Sequence, residues 1–215
     1  MSRVKRRFCH LQRHLRVIAV IASSVLASCA GPPSAESINA EANALLDKGR
    51  YGEALVKYRA SMTMARAQQD RPYEAIAMYG MARAYGYQCM YPESEQAFLA
   101  SIALRQQIPD GPNAYITQNQ LELARLYIGH RQWQKAIAQF EEALPRLEKL
   151  NVPSRSPVSF AQTLQDYALA LRESGEQART KEVTSRIQYL RSGVNAARER
   201  VQSFKPYPGS CSTSP

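Results

Sequence analysis

No apolar run in the 215-residue chain is long enough to cross a bilayer. A transmembrane helix needs about 20 mainly apolar residues, whereas the longest run, Val17 to Ala27, has eleven residues and includes two serines. Residues 1–16 before this run contain six basic residues and no acidic one. A basic segment followed by a short apolar segment and small residues is typical of an export signal that is cleaved off.

The residues LASC at positions 26–29 resemble the lipobox of bacterial lipoprotein signals, in which leucine and two small residues precede an invariant cysteine. The resemblance implies that residues 1–28 are a signal peptide and that Cys29 carries lipid, including acyl groups such as palmitate, which anchor a protein firmly. Because Ala30 follows rather than an aspartate, it also implies the outer membrane of a Gram-negative cell envelope, facing the periplasm. The alternatives are a plain signal peptide cleaved near Ala30 and a buried helix with a chance cysteine.

The chain is also poor in residues that build catalytic and metal sites. It has three histidines, and His130 is the only one after the leader. Beyond Cys29 only Cys89 and Cys211 remain, and they are too far apart in sequence to form a zinc motif. There is no glycine-rich phosphate loop. We therefore predict a non-enzymatic protein without metal or cofactor, and an enzyme with an unrecognised site is a less favoured alternative.

Removal of the leader also removes most of the excess positive charge. The whole chain has 28 basic and 18 acidic residues, and six of the basic ones lie in residues 1–16. The remaining chain has 22 basic and 18 acidic residues, which gives a net charge of +4. Such a charge does not point to nucleic acid as a partner.

The two cysteines that follow Cys29 suggest a disulfide between them. Export places the protein in an oxidising compartment, where a disulfide can persist. Cys211 lies in the polar tail PYPGSCSTSP, which could reach back to Cys89. The alternative is a small buried Cys89 and a free thiol at Cys211.

Apolar residues recur at helical spacing over residues 38–190, and turn-forming segments such as DKGRYG and ESGE separate them. The pattern predicts about eight helices in four pairs. In the first helix of each pair a small residue is followed three positions later by a bulky one. The small residues are Ala42, Ala82, Ala124 and Ala168, and the bulky residues are Leu45, Tyr85, Tyr127 and Leu171.

The second helices repeat a different pattern in the first three pairs. An aromatic residue opens the helix, a small residue follows three positions later, and another aromatic residue follows four positions after that. These triplets are Tyr51, Ala54 and Tyr58; Tyr91, Ser94 and Phe98; and Trp133, Ala136 and Phe140. The fourth pair has Thr180 and Thr184 instead. A polar last unit suits the cap of a repeat array, although a plain solvent-facing helix outside the array is the alternative.

These patterns resemble the tetratricopeptide repeat (TPR). The resemblance implies an all-α, right-handed α-solenoid of about four helix pairs over residues 38–204, with a C-terminal capping helix. Residues 29–37 would be a lipidated tether, and the proline- and serine-rich residues 205–215 a disordered tail. The repeat distance of 40 to 44 residues exceeds the usual figure of about 34 and indicates longer helices. A helical bundle would show the same periodicity and is the alternative fold.

In the TPR family the first helices line a concave binding face. The corresponding groove positions here are Asn39, Asn43, Tyr79, Arg83, Tyr87, Leu121, Arg125, Ile128, Gln165 and Arg172. Because Arg83 and Arg125 occupy the same position in successive repeats, we predict that they hold a carboxylate of a peptide. The alternative is that both arginines belong to a solvated helix face.

The resemblances together imply a binding protein. We predict a lipid-anchored TPR adaptor that binds another protein of the cell envelope, in the manner of an assembly factor for pilus or secretion machinery. An accessory or regulatory subunit of a cell-wall enzyme is the alternative function.

Overall fold

The computed structural model describes residues 33–109, 113–192 and 205–209. The predicted signal peptide, Cys29 and Cys211 therefore lie outside the described residues. Among the described residues, no helix combines the length and the apolar character that a membrane span requires.

The described residues form nine helices and no strand. The helices are α1 (Ala35–Asp47), α2 (Tyr51–Ala67), α3 (Arg71–Tyr87), α4 (Tyr91–Gln106), α5 (Asn113–Gly129), α6 (Trp133–Lys149), α7 (Val152–Arg155), α8 (Pro157–Glu173) and α9 (Gln177–Ser192). Apart from the single-turn α7, they form four antiparallel pairs, in which α1, α3, α5 and α8 are the first helices. Each first helix also contacts the first helix of the next pair. This arrangement confirms the predicted solenoid of four helix pairs.

The small residues lie where the helices of a pair cross. Ala42, Ala82 and Ala124 are fully buried in the first helices, although Ala168 of the fourth pair is only half-buried. A side chain without atoms beyond Cβ lets two backbones approach closely, and the large rings then fill the space between successive pairs. Those rings are Tyr58, Phe98 and Phe140, and each is fully buried.

The turns between paired helices use a left-handed residue. Gly49 and Gly175 have φ of +75° and +87°, and Cys89 and Arg131 occupy the same kind of position with φ of +66° and +55°. A left-handed residue after the last helical turn lets the chain reverse while its amides still reach helix carbonyls. For example, the amide of Arg131 donates to the carbonyl of Ile128 at 3.0 Å.

The element boundaries differ slightly from those predicted. The first helix begins at Ala35 rather than at residue 38, because Ser34 caps it. The amide of Ser37 donates to Ser34 Oγ at 3.0 Å, and the amide of Ser34 donates to Ser37 Oγ at 2.9 Å. At the next pair Asp70 caps α3, since its side chain accepts from the amide of Tyr73 at 3.1 Å. Ser156 occupies the same position before α8, but its side chain makes no such capping bond.

Residues 205–209, which we call the strap, are also placed differently from the expectation of a disordered tail. Tyr207 is 4 % exposed and belongs to the main core cluster. The composition of the tail favoured disorder because it has many prolines and serines, but a single large ring can hold a short segment when a slot for it exists on the folded body.

Candidate functional site

A cavity of 710 Å³ lies on the face formed by the first helices of the first three pairs. Residues of α1, α3 and α5 supply most of its lining. The second helices contribute Tyr51 at the start of α2 and Arg105 near the end of α4, and the strap contributes Lys205. We call this the groove cavity.

Five of the predicted groove residues line the groove cavity: Asn39, Asn43, Tyr79, Arg83 and Tyr87. The third pair differs from the prediction. Leu121 and Ile128 are half-buried against the main core cluster. In the fourth pair Gln165 accepts a hydrogen bond from Arg191, and Arg172 is exposed beside Glu173. None of these four residues lines the cavity.

Arg125 lies in an ion-paired cluster next to the groove cavity instead of facing into it. Its Nη1 donates to Glu122 Oε1 and its Nε to Asp166 Oδ2, each at 2.8 Å. The arginine side chain is only 10 % exposed. Because α8 supplies Asp166, the pairing of α5 with α8 engages this guanidinium. The structure therefore does not bring Arg83 and Arg125 together on the cavity.

Four buried side-chain atoms among the described residues have no hydrogen-bond partner, and all four belong to residues that line the groove cavity. They are Asn39 Oδ1, Arg83 Nε, Arg105 Nε and Asn119 Oδ1. Asn39, Arg105 and Asn119 are 6 %, 5 % and 3 % exposed. Each orphaned buried polar atom costs about 1–3 kcal/mol, and such atoms are rare in folded proteins. Two acceptors and two donors in one cavity therefore make it the candidate binding site.

Tyrosines form the walls of the cavity. The guanidinium of Arg83 lies 5.7 Å from the ring centre of Tyr79, and that of Arg105 lies 4.0 Å from the ring centre of Tyr115. The hydroxyl of Tyr79 accepts from Gln118 at 3.1 Å. Burial works against the positive charge of Arg83, but the nearby tyrosines and Glu122 raise its pKa, so it stays cationic.

The charges around the cavity balance. Three basic residues, Arg83, Arg105 and Lys205, line it together with three acidic ones, Glu36, Asp47 and Glu122. A lining with equal numbers of basic and acidic side chains does not select a polyanion. Among the described residues, no cluster of histidine, cysteine and acidic side chains could hold a metal ion. The cavity suits a neutral, polar ligand with apolar portions that pack on tyrosine.

Cys89, one of the two residues of the predicted disulfide, is disulfide-bonded. Its turn lies close to the strap, because the hydroxyl of Tyr91 donates to the carbonyl of Pro208. Cys211 lies three residues beyond Pro208, and three residues of extended chain span about 10 Å. The pairing of Cys89 with Cys211 is therefore within reach, and it stays a prediction.

A digest made without reductant tests this pairing. We expect one cross-linked species that contains Cys89 and Cys211, and we expect alkylation of the unreduced protein to label neither thiol. The same digest after reduction serves as the control and should release both peptides. Alkylation of both thiols before reduction would contradict the pairing.

Several lining residues were missed in the sequence. On α5 the lining residues are Tyr115, Gln118, Asn119 and Glu122, whose spacing of three and four marks one helix face. That signal was available in the sequence. Arg105 and Lys205 carried no such signal, because one lies on a second helix and the other lies outside the repeat pattern of the four pairs.

The chain matches no family model, and no curated protein matches its sequence. Its structure is similar to solved structures of repeat proteins. The crystal structure of BtubC (BKLC) from P. vanneervenii superposes with a TM-score of 0.69 at 15 % identity, over 80 % of this chain and 68 % of that one.

Two crystal structures of kinesin light chain TPR-like repeats from Podospora anserina are similar as well. Their TM-scores are 0.61 and 0.59, at 19 % and 20 % identity. The matches cover 86 % and 85 % of this chain and 85 % of each of those chains. Identities this low show the fold alone. From its helix pairs and these structural neighbours, the described part of the chain has the fold of a tetratricopeptide-type α-solenoid.

Proposed function

We propose that this protein is a lipid-anchored adaptor on the periplasmic side of the outer membrane of a Gram-negative cell, where it binds an extended segment of another envelope protein. Repeat arrays of this fold class present concave surfaces for partners. The observation that carries the proposal is the set of four orphaned buried atoms in the groove cavity. The sequence signal at Cys29 supports the location, and the predicted role is that of an assembly factor for pilus or secretion machinery.

An extended peptide backbone fits the orphaned atoms. Every peptide unit carries one N–H donor and one C=O acceptor. The side-chain carbonyls of Asn39 and Asn119 would accept from two peptide amides, and the Nε groups of Arg83 and Arg105 would donate to two peptide carbonyls. The tyrosine walls would pack against the side chains of the peptide. This arrangement recognises backbone first, so selectivity would come from how the side chains of the partner fit the tyrosines.

The proposal predicts that removal of the two amide acceptors weakens partner capture without unfolding the protein. We expect the full chain carrying Asn39→Ala and Asn119→Ala to retain about one tenth or less of the crosslinked partner from envelope extracts. Two lost hydrogen bonds of about 1 kcal/mol each give a change of this size. Alanine is the best helix former, so both helices should remain.

Gln165→Ala is the matched control, because Gln165 is an exposed amide on the first helix of the fourth pair and lies outside the cavity. Equal loss of capture in the control and the double variant would contradict a role for the groove cavity. The identity of the captured protein separates the two functions. Pilus or secretion components would support the adaptor, and cell-wall hydrolases or synthases would support the accessory subunit.

A further inference from the structure

The strap lies across one end of the groove cavity and contacts the first three helix pairs. Lys205 sits beside Tyr51 of the first pair, and its Nζ donates to the hydroxyl of Tyr51. The carbonyl of Pro208 accepts from Tyr91 of the second pair. A Cβ built on Gly209 would lie 3.5 Å from the carbonyl oxygen of Gly129 in the third pair, so the strap also packs close to this pair. Five residues of the chain thus cross the array much as a bound peptide would.

Tyr207 fills a slot that exists because residue 86 has no side chain. A Cβ on Gly86 would lie 2.7 Å from Tyr207 Cε1 and 2.8 Å from Cδ1. The Tyr207 ring packs against Tyr87, with 4.8 Å between ring centres. Its hydroxyl donates to Glu122 Oε2 at 2.8 Å. The slot therefore recognises both the flat ring and the phenolic hydroxyl, which is the chemistry of tyrosine.

The backbone of the strap is bound by tyrosine hydroxyls. Tyr87 donates to the carbonyl of Lys205 at 3.0 Å, and Tyr91 donates to the carbonyl of Pro208. The ammonium of Lys205 lies over the rings of Tyr51 and Tyr87, 5.2 Å and 5.6 Å from their centres. These contacts involve only backbone carbonyls and one ammonium group. Any extended segment with a lysine two residues before a tyrosine could therefore make the same hydrogen bonds and cation–π contacts.

The slot and the groove cavity share their walls. Tyr51, Tyr87 and Glu122 line the cavity and also contact the strap, and Lys205 of the strap is itself part of the lining. A partner segment that extends along the cavity toward this end therefore meets the strap. Occupation of the slot by the strap and by a partner would then be mutually exclusive.

We propose that the slot beside Gly86 is an exchangeable subsite for a tyrosine in an extended, proline-flanked segment, and that the strap occupies it in cis as a competing ligand. The competing partner segment rests on the proposed function, but the subsite itself does not. A tethered segment competes at an effective concentration of up to about millimolar. The strap would therefore prevent the binding of weak partners and be displaced by strong ones. The groove would thus admit only segments whose affinity exceeds that of the strap.

The test is fluorescence anisotropy with a labelled synthetic peptide of residues 203–211 that carries Cys211→Ser. The receptor is the full chain with Tyr207→Ala and Cys211→Ser, whose own strap lacks its anchor. We expect saturable binding to this receptor, and binding at least about 10-fold weaker to the full chain with only Cys211→Ser, whose strap still competes. A peptide with Tyr207→Ala should bind at least about 30-fold more weakly, since it loses a buried aromatic side chain.

Two glycine variants of the receptor give a matched pair. Gly86→Ala fills the slot and should weaken peptide binding at least about 30-fold, as the loss of the buried ring does. Gly129→Ala places a Cβ at an ordinary contact distance of 3.5 Å from Tyr207 and should leave the affinity within about threefold.

Three results would overturn the proposal: equal binding with and without an intact strap, equal effects of the two glycine variants, or a Tyr207→Ala chain that circular dichroism shows to be unfolded. The last result would make the strap a fixed part of the core. These outcomes do not depend on Asn39 and Asn119, so failure here is distinguishable from failure of the proposed function.

Discussion

Replacement of Gly80 by alanine is expected to lower the free energy of unfolding by about 3 kcal/mol, at the upper end of the usual cost of overpacking. A Cβ on Gly80 would lie 2.2 Å from Tyr58 Cε1 and 2.5 Å from Cδ1. Tyr58 is fully buried, and its hydroxyl donates to Asn43 Oδ1 at 2.6 Å. The ring is therefore held at both ends and has no free space to move into.

A double-mutant cycle isolates this steric cause. In a Tyr58→Ala background the ring is absent, and Gly80→Ala is expected to stabilise the protein by about 0.5–1 kcal/mol, because alanine is a better helix former than glycine. Urea denaturation of the four proteins measures both effects. The same sign for Gly80→Ala in both backgrounds would show that the close approach of Gly80 and Tyr58 is not the reason for the glycine.

The protein is also expected to lose stability steeply in alkali, because burial raises the pKa of several tyrosines. Burial raises the pKa of Tyr58 from 10.0 to about 12. Burial also raises the pKa of Tyr79, Tyr127 and Tyr207, and Glu122 or Glu95 adds to the effect. The folded state therefore keeps protons that the unfolded chain releases.

The sign of the pH dependence follows from this difference. The stabilisation is fully present below pH 10, the unfolded pKa, and is lost as the pH rises through the folded pKa values. For Tyr58 the window is pH 10 to about 12, and a shift of two units corresponds to about 3 kcal/mol. We expect the tyrosinate absorbance of the buried tyrosines to appear above pH 10 and to rise together with the loss of helical circular dichroism.

Phenylalanine variants give the control for this prediction. Tyr58→Phe removes one proton that the unfolded chain can release, so it should move the alkaline midpoint of unfolding to higher pH. Tyr189 is 78 % exposed, and Tyr189→Phe should leave the midpoint unchanged. Gradual titration of all tyrosines before any loss of helix would contradict the prediction.

The groove was predictable from the sequence only in part. Asn39, Tyr79 and Arg83 were found because TPR positions repeat along the first helices, and the first two pairs keep that register. At the third pair the same register predicted Arg125 as a groove residue, but Arg125 pairs with Asp166, 41 residues away in sequence. A helical repeat indicates which face a residue lies on, but it contains no information about a counter-charge brought in by the next pair.

The spacing of small, apolar and aromatic residues was enough to predict the described helix pairs and most of their buried small and aromatic side chains. This was possible because helix packing depends on residue size at fixed spacing, and that spacing is local. Tertiary packing, in contrast, sets which polar atoms are left without partners, and it brings Arg105 of a second helix to the cavity. It also brings the carbonyl of Lys205 to the hydroxyl of Tyr87, 118 residues earlier. Such contacts depend on how the pairs stack in space, and no local pattern records distances between residues that far apart in the chain.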